Sequence, residues 1–344
     1  MFARIKAVSS YLPEKIEKNS DFVNDRFIEK LGIIDRPIAD DDEAASDLAL
    51  KAAENLFDEY DIDRNETDFI LLCTQQPDYL MPNTAPYLQH RLGLSKNVGA
   101  VDISLGCSGY VYGLAVAKGL IETGLSKKLL FITSSIYSKF ISKKDTVVRP
   151  VFGDGATATW IEGVDEESEN IRAFVFGSDG SGYDKLYIPV GGSRNLSRNT
   201  PEVFYYNENQ KQRSNYDVYM DGMAITHFTF REVPPLVEGV LSAAKISRAD
   251  LDYCIFHQAN HFMLEKVRKK SDLEKVHFFN EITHTGNLIS GSIPYAMEQV
   301  INSVDVKNLH NVLLAGFGVG LSWAGCLVDL SGVLQKKVAE NVKK

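Results

Sequence analysis

Asp68–Gln76 reads DFILLCTQQ, and Asp252–Asn260 reads DYCIFHQAN. Both runs open on aspartate, continue through four or five mostly apolar, strand-forming residues and close on a polar tail. The offset from Asp68 to Asp252 is 184. Each run follows a helical pattern and an acidic turn, LALKAAENLFDEYDIDRNET (Leu48–Thr67) in one case and LVEGVLSAAKISRADL (Leu236–Leu251) in the other. Further on, KKLLFITSS (from Lys127) pairs with HNVLLAGFG (from His310) at an offset of 183. A matched order of helix, strand, helix, strand at one spacing marks two copies of a single α/β unit. The joint falls in WIEGVDEESENIRAF (Trp160–Phe174), which divides the chain into halves 1–165 and 166–344.

The strand candidates FILLCT, NVGAVDI, LLFITSS, DYCIFH and NVLLAGF alternate with helical patterns of ten or more residues. Buried strands between helices predict a mostly parallel α/β sheet in each half. In DDDEAASDLALKAAENLF the acidic residues crowd the first turn, where they favour the helix dipole, and Leu48, Ala52 and Leu56 recur at helical spacing. The polar stretch Gly191–Asp217 (GGSRNLSRNTPEVFYYNENQKQRSNYD) is expected to be a surface excursion.

Composition narrows the function. With 344 residues, 44% hydrophobic and 24% charged, the chain can bury a sizeable core in two domains or one double one. A net charge of -9 gives no basic field for nucleic acid. MFARIKAVSSYLPEK has no long apolar run, and no stretch approaches the ~20 apolar residues of a membrane span. The expectation is a soluble cytoplasmic protein with no membrane partner. Its four cysteines, with no close CxxC pair, give neither a disulfide framework nor a zinc site and are expected as reduced thiols.

Cys107 lies in SLGCSGYVYGL, between a strand (AVDIS) and a helix (YVYGLAVAKGLIE). Exposed N–H groups and the positive dipole end favour an anion there, so a lowered thiol pKa is expected. A small buried cysteine in a crowded turn is the competing reading. Against it stands the second half: His257 follows an apolar strand in FHQAN, and Asn287 in HTGNLISGSIPYAM lies near the position that mirrors the cysteine turn. Carboxyl ends of strands in such sheets face the ligand crevice, so mirrored halves would aim these three residues at one centre.

Other motifs fail on context. GDGATA (Gly153–Ala158) matches a loose dinucleotide fingerprint, but strand-favouring Thr157, Thr159, Trp160 and Ile161 follow where a helix is required. A glycine turn supporting the active site is the better reading. No GxSxG elbow surrounds the nucleophile, and His257 and His261 have no further metal ligands at suitable spacing. Cys73, Cys254 and Cys326 read as core residues of strands.

Together these motifs carry a resemblance: LGIIDRPIADDDEAASDLA, TQQPDYLMPNTAPYLQHRLGL, GCSGYVYGL, FGDGATA, GSDGSGYDKLYIPVGG, MDG, FHQAN, GNLISGSIP and GFGVGLSWAG, in this order over nearly the whole chain. It resembles the thiolase-fold condensing enzymes, most closely the β-ketoacyl-acyl-carrier-protein synthase III family. The resemblance implies a five-layered αβαβα fold of two pseudo-repeated halves, a homodimer and a Cys107–His257–Asn287 active site. Cys107 would accept the acyl group, and His257 and Asn287 would assist decarboxylation of a malonyl thioester and stabilise the enolate. Backbone N–H groups of Cys107 and of Val319 in GFGVG would form the oxyanion hole, with Gly316, Gly318 and Gly320 permitting a strained backbone. Acyl-coenzyme A and acyl carrier protein would be substrates, with no cofactor and no metal.

The family's coenzyme A clamp near this stretch maps onto Phe27, Lys30 and Arg36, with phenylalanine where tryptophan is usual, and Phe262 stands where the family usually has arginine. Met81 occupies the position that shapes the partner's acyl pocket, where phenylalanine is common, so a pocket accepting more than acetyl groups is expected. Lys266, Arg268, Lys269 and Lys270 on the helix after His257 are candidates for meeting an acidic carrier or coenzyme A phosphates. Three functions follow: a decarboxylating condensing enzyme of fatty acid synthesis, a specialised relative in polysaccharide or secondary metabolism, or a non-catalytic acyl-binding dimer partner. A Cys–His hydrolase would share two of the residues, and Asn287 with the double repeat argues against it.

Overall fold

The repeated runs become the central strands of two sheets. The computed structural model describes residues 1–206 and 212–336. The first half runs β1 (Phe2–Tyr11), a small ribbon of β2 (Ile16–Lys18) and β3 (Asp35–Pro37) flanking α1 (Asp25–Leu31), then α2 (Ala45–Tyr60), β4 (Phe69–Cys73), α3 (Thr84–Arg91), β5 (Gly99–Ile103), α4 (Gly109–Glu122), β6 (Lys128–Ser135) and β7 (Gly155–Val164). The second half runs β8 (Ile171–Ser178), short strands β9 (Leu186–Tyr187), β10 (Phe204–Tyr206), β11 (Gln212–Ser214) and β12 (Tyr219–Met220), then α5 (Gly222–Ala244), β13 (Tyr253–Phe256), α6 (His261–Lys270), β14 (His277–Phe278), α7 (Ser292–Ser303), β15 (Val312–Gly318) and β16 (Ser322–Val328).

The sheets are ordered β1-β7-β6-β4-β5 and β8-β16-β15-β13-β14, matching position for position. β4 pairs in parallel with β5 and β6, as β13 does with β14 and β15. The remaining pairings, β6–β7–β1 and β15–β16–β8, are antiparallel. The sheets are therefore mixed rather than mostly parallel. Only residues 319–321 separate β15 from β16, and so short a connection can only reverse the chain.

α4 and α7 each pack against both sheets, α2 and α3 cover the outer face of the first, and α5 and α6 lie outside the second. This gives five layers. A helix between two sheets buries most of its surface, which explains why α4 (GYVYGLAVAKGLIE) is apolar over most of its circumference, with only Val116 and Gly119 exposed. It also explains Gly113: a Cβ there would enter the Phe131 ring. The polar excursion carries secondary structure of its own: β10 pairs with β11, and β12 with β9, while its residues 207–211 lie outside the described part. β5 ends the first sheet with one side unpaired and Val101 half-exposed.

Gly113→Val is expected to destabilise the fold by roughly 1–3 kcal/mol through overpacking of the middle layer, read as a lowered midpoint in chemical denaturation.

Candidate active site

Cys107 sits in the turn that starts α4, closed by the Gly109 N–H donating to the Gly106 carbonyl at 2.7 Å. The side chain is 4% exposed. The backbone N–H groups of Val319 and of Cys107 itself lie beside its sulfur and favour its thiolate. Across from it runs β15. A Cβ on Gly316 would fall 2.8 Å from the Cys107 carbonyl, and one on Gly318 would fall 2.7 Å from Sγ. These glycines are needed for close approach of the strand to the nucleophile; of the three in GFGVG only Gly320 has a positive φ, of 138°.

His257 follows directly on β13, its N–H still in the ladder to the Ala315 carbonyl at 2.8 Å. Its ring stands edge-on to Phe317 and contacts Asn287, Nε2 to Nδ2, at 3.3 Å. The ring also faces the backbone of Ile289, and Nδ1 makes no well-formed hydrogen bond. Asn287 is fixed from both ends. Its Oδ1 accepts from the Ile289 N–H at 2.8 Å, which turns the amide NH2 towards the histidine. Its backbone N–H donates to Val151, and its carbonyl accepts from Gly153. A Cβ on Gly153 would enter the Thr285 carbonyl. The GDGATA turn thus holds the asparagine loop, and buried Asp154 in turn receives the N–H groups of Ala39 and Ser138.

Cys107, His257 and Asn287 line one cavity of about 90 Å3, together with Phe152, Leu186, Met220, Ile225, Thr229, Met263 and Phe317 among others. Only Cys107 and His257 among its lining residues can titrate. Burial pushes the Cys107 thiol up to about 12, against the pull of the Val319 and Cys107 N–H groups, and takes His257 down to about 3. The expected lowering of the thiol is therefore overturned: a helix start cannot offset desolvation where no cation lines the cavity. The free site holds a neutral thiol beside a neutral imidazole.

Val151, Met220, Gly222, Thr226 and Asn260 continue into a wider mouth of about 760 Å3. Phe27 and Lys30 line that mouth, with Phe262. Lys30 and Lys266 lie 5.4 and 5.7 Å from the Phe262 ring, so the residue noted as a departure is covered by two cations. Arg36 is placed elsewhere. It is 1% exposed and donates to Asn19, the Phe152 carbonyl and Glu17, so its guanidinium braces the core instead of meeting a ligand at the mouth. On α6, Lys266, Lys269 and Lys270 are exposed, whereas Arg268 is spent on the Leu273 and Glu274 carbonyls. Met81 is 82% exposed and does not line the catalytic cavity of its own chain. Among the described residues no group of His, Cys, Asp and Glu could hold a metal ion.

The sequence repeat also places two residues that are not at the cavity. At the offsets above, Cys73 corresponds to His257 and Ser290 to Cys107. They lie side by side in the interior, with Cys73 likewise pushed up to about 12 by burial.

A 3-oxoacyl-[acyl-carrier-protein (ACP)] synthase III family model matches residues 101–180, and its C-terminal counterpart matches 241–330, spans that hold Cys107, His257, Asn287 and Val319. The Staphylococcus epidermidis beta-ketoacyl-[acyl-carrier-protein] synthase III 2 is 35% identical over 333 residues, covering 95% of this chain and 98% of its own. This chain belongs to the β-ketoacyl-[acyl-carrier-protein] synthase III family. The Clostridioides difficile synthase III is likewise 35% identical over 333 residues, with 95% and 98% covered. A crystal structure of a 3-oxoacyl-(acyl-carrier-protein) synthase III superposes with a TM-score of 0.91 at 38% identity, covering 96% of this chain and 100% of that one. The priming β-ketosynthase of the R1128 polyketide pathway gives 0.82 at 25% identity, with 97% of each chain covered.

With the thiol raised and the imidazole lowered, the reactive thiolate becomes more abundant as pH rises and no imidazolium forms near neutrality. Alkylation of Cys107 by iodoacetamide should therefore climb about tenfold per pH unit from 6 to 9 without an inflection near 6.5. A plateau below pH 8 would contradict these shifts.

Proposed function

We propose that this chain loads an acyl group onto Cys107 and condenses it with a malonyl thioester held by a carrier protein. By its family it is an acyl-transferring condensing enzyme. The observation that carries the detailed reading is the buried cavity in which a thiol, an imidazole and the amide of Asn287 are brought together.

Sγ attacks the donor carbonyl, the donor thiol leaves with the cysteine proton, and an acyl-thioester remains. This splits one hard step into two easier ones. The Cys107 and Val319 N–H groups lie beside the sulfur, so the oxygen of a carbonyl bound there would be within their reach. A malonyl carboxylate entering this cavity meets no cation and loses its hydration, which favours departure as CO2. The electron pair left on carbon delocalises onto the thioester oxygen, where neutral His257 and Asn287 can each donate. The enolate carbon then attacks the acyl carbonyl and frees Sγ. No cofactor is required.

The assignments beyond the cavity are extensions of the same reading. Phe27 and Lys30 would contact the donor's arm at the mouth, and exposed Lys266, Lys269 and Lys270 would meet an acidic carrier. The open edge of β5 suits pairing with a second copy. A homodimer would also give exposed Met81 a place beside the partner's acyl cavity. A cytoplasmic setting agrees with four free cysteines, and among the described residues no helix is long and apolar enough to cross a membrane.

Intact-protein mass spectrometry after exposure to acyl-coenzyme A should show one acyl adduct, absent in Cys107→Ala. His257→Ala and Asn287→Ala should still load but lose condensation with malonyl-carrier by about 10²–10³-fold. No adduct from any acyl donor in the wild type would defeat the proposal. Separately, Lys269→Glu should lower turnover with malonyl-carrier several-fold more than it lowers loading from acyl-coenzyme A, measured as the ratio of the two rates.

A further inference from the structure

Ser108 follows the nucleophile and stands at the N-cap of α4. A serine there ordinarily turns its hydroxyl onto the first free N–H groups of the helix. Ser108 makes no such cap bond. Its Oγ lies instead 2.7 Å from Oγ of Ser322, the first residue of β16, 214 positions along the chain. Both side chains are buried. Ser322 Oγ in turn donates to the Val319 carbonyl at 2.9 Å. A hydroxyl has one proton, and Ser322 spends its own on Val319, so Ser108 is the donor to Ser322. The bonds form one directed chain, from the residue beside the nucleophile in the first half to Val319 in the second.

The connection between β15 and β16 has use for such a hold. Val319 is flanked by Gly318 and Gly320, residues with the widest backbone freedom. Leu321 is tied by both of its backbone groups to Asp179, at 2.9 and 3.0 Å. The Val319 side chain rests on Gly106, where a Cβ would enter it. Its N–H lies beside the Cys107 sulfur. The N–H and the carbonyl of Val319 belong to the two peptide planes that meet at its Cα, so holding the carbonyl limits how far the N–H can turn. Mutual satisfaction of two buried hydroxyls would need only each other. Here the chain runs on to the residue whose N–H faces the nucleophile.

We propose that Ser108 and Ser322 are positioning residues for the oxyanion hole: they tie the Val319 peptide to the cysteine turn, so that its N–H meets the oxygen of a bound thioester carbonyl. The proposal rests on the reading of Cys107 as an acyl-accepting nucleophile whose tetrahedral intermediate is held by backbone N–H groups. It gives the serine after the nucleophile a task in the reaction and not in capping its helix.

Two chemistries at one sulfur separate this role from general stability. Iodoacetamide alkylates Sγ at a saturated carbon and forms no oxyanion, whereas acyl loading passes through one. In the full chain, Ser322→Ala should lower the ratio of loading rate from acyl-coenzyme A to alkylation rate by about tenfold, short of the roughly 10²–10³-fold of losing a hole donor outright. The loss should fall on kcat of loading, with KM for the donor within about twofold of wild type. Ser108→Ala should cost about threefold, and the double variant no more than Ser322→Ala alone, because the two hydroxyls act in series. Ser322→Thr keeps a hydroxyl and should stay within about threefold of wild type. Hydrogen exchange in the 318–321 turn, which does not depend on loading, should quicken by roughly 3–10-fold in Ser322→Ala. A ratio within about twofold of wild type in Ser322→Ala, or a threonine variant no better than the alanine one, would overturn the proposal. Failure of the wild type to load from any acyl donor would instead defeat the nucleophile reading, and unchanged exchange in Ser322→Ala would still defeat the positioning role.

Discussion

Where β15 of the second half passes the cysteine turn of the first, the two halves come into backbone contact beside the nucleophile. Gly316 lies against the Cys107 carbonyl, and Gly318 against the sulfur itself. A side chain at either position would push the turn away and separate the Val319 N–H from Sγ. The central helix α4 begins at this turn, so the packing of the middle layer and the geometry of the nucleophile share one constraint. The stacked sheets therefore fix the reactive sulfur with backbone atoms, which have no rotamers to lose.

Burial of the site follows from the same packing. The cavity lies beneath Phe317, Phe152 and Met263, and neither a carboxylate nor a cation lines it. Burial then acts oppositely on the two titratable groups, raising an acid and lowering a base, so both stay uncharged at neutral pH. An uncharged resting pair suits chemistry in which charge appears only transiently, on an oxygen already facing N–H groups and on a carboxylate about to leave as gas. The site stabilises what forms during the reaction rather than what waits for it.

The repeat made the double fold legible, because sheet order follows strand order when each unit is copied whole. It also located His257, which follows directly on β13, and the asparagine stretch near the mirrored turn. What stayed hidden depended on distant residues. The direction of the Cys107 shift could not be read from a helix start, since it is set by how completely β15 and α5 exclude water. Arg36 looked like a ligand contact in its motif, but Glu17, Asn19 and the Phe152 carbonyl claim it, and nothing in its local sequence names them. The mixed sheets were missed because alternation of strand and helix predicts neighbours and not direction, which turns on the connections: residues 319–321 reverse β15 into β16, and the longer 136–154 segment brings β7 back against β6.

Cys73 and Ser290 occupy in the interior the places that His257 and Cys107 occupy at the cavity. Burial raises the Cys73 thiol as it raises that of Cys107; it donates to the Leu105 carbonyl at 3.3 Å and does not line the catalytic cavity. Burial raises both thiols, but only Cys107 lines the catalytic cavity with His257 and Asn287. Selectivity between these two thiols is accordingly a matter of topography: the repeat puts Cys73 in the seat of His257 and Ser290 in that of Cys107, and the mouth opens onto the pair that holds Cys107.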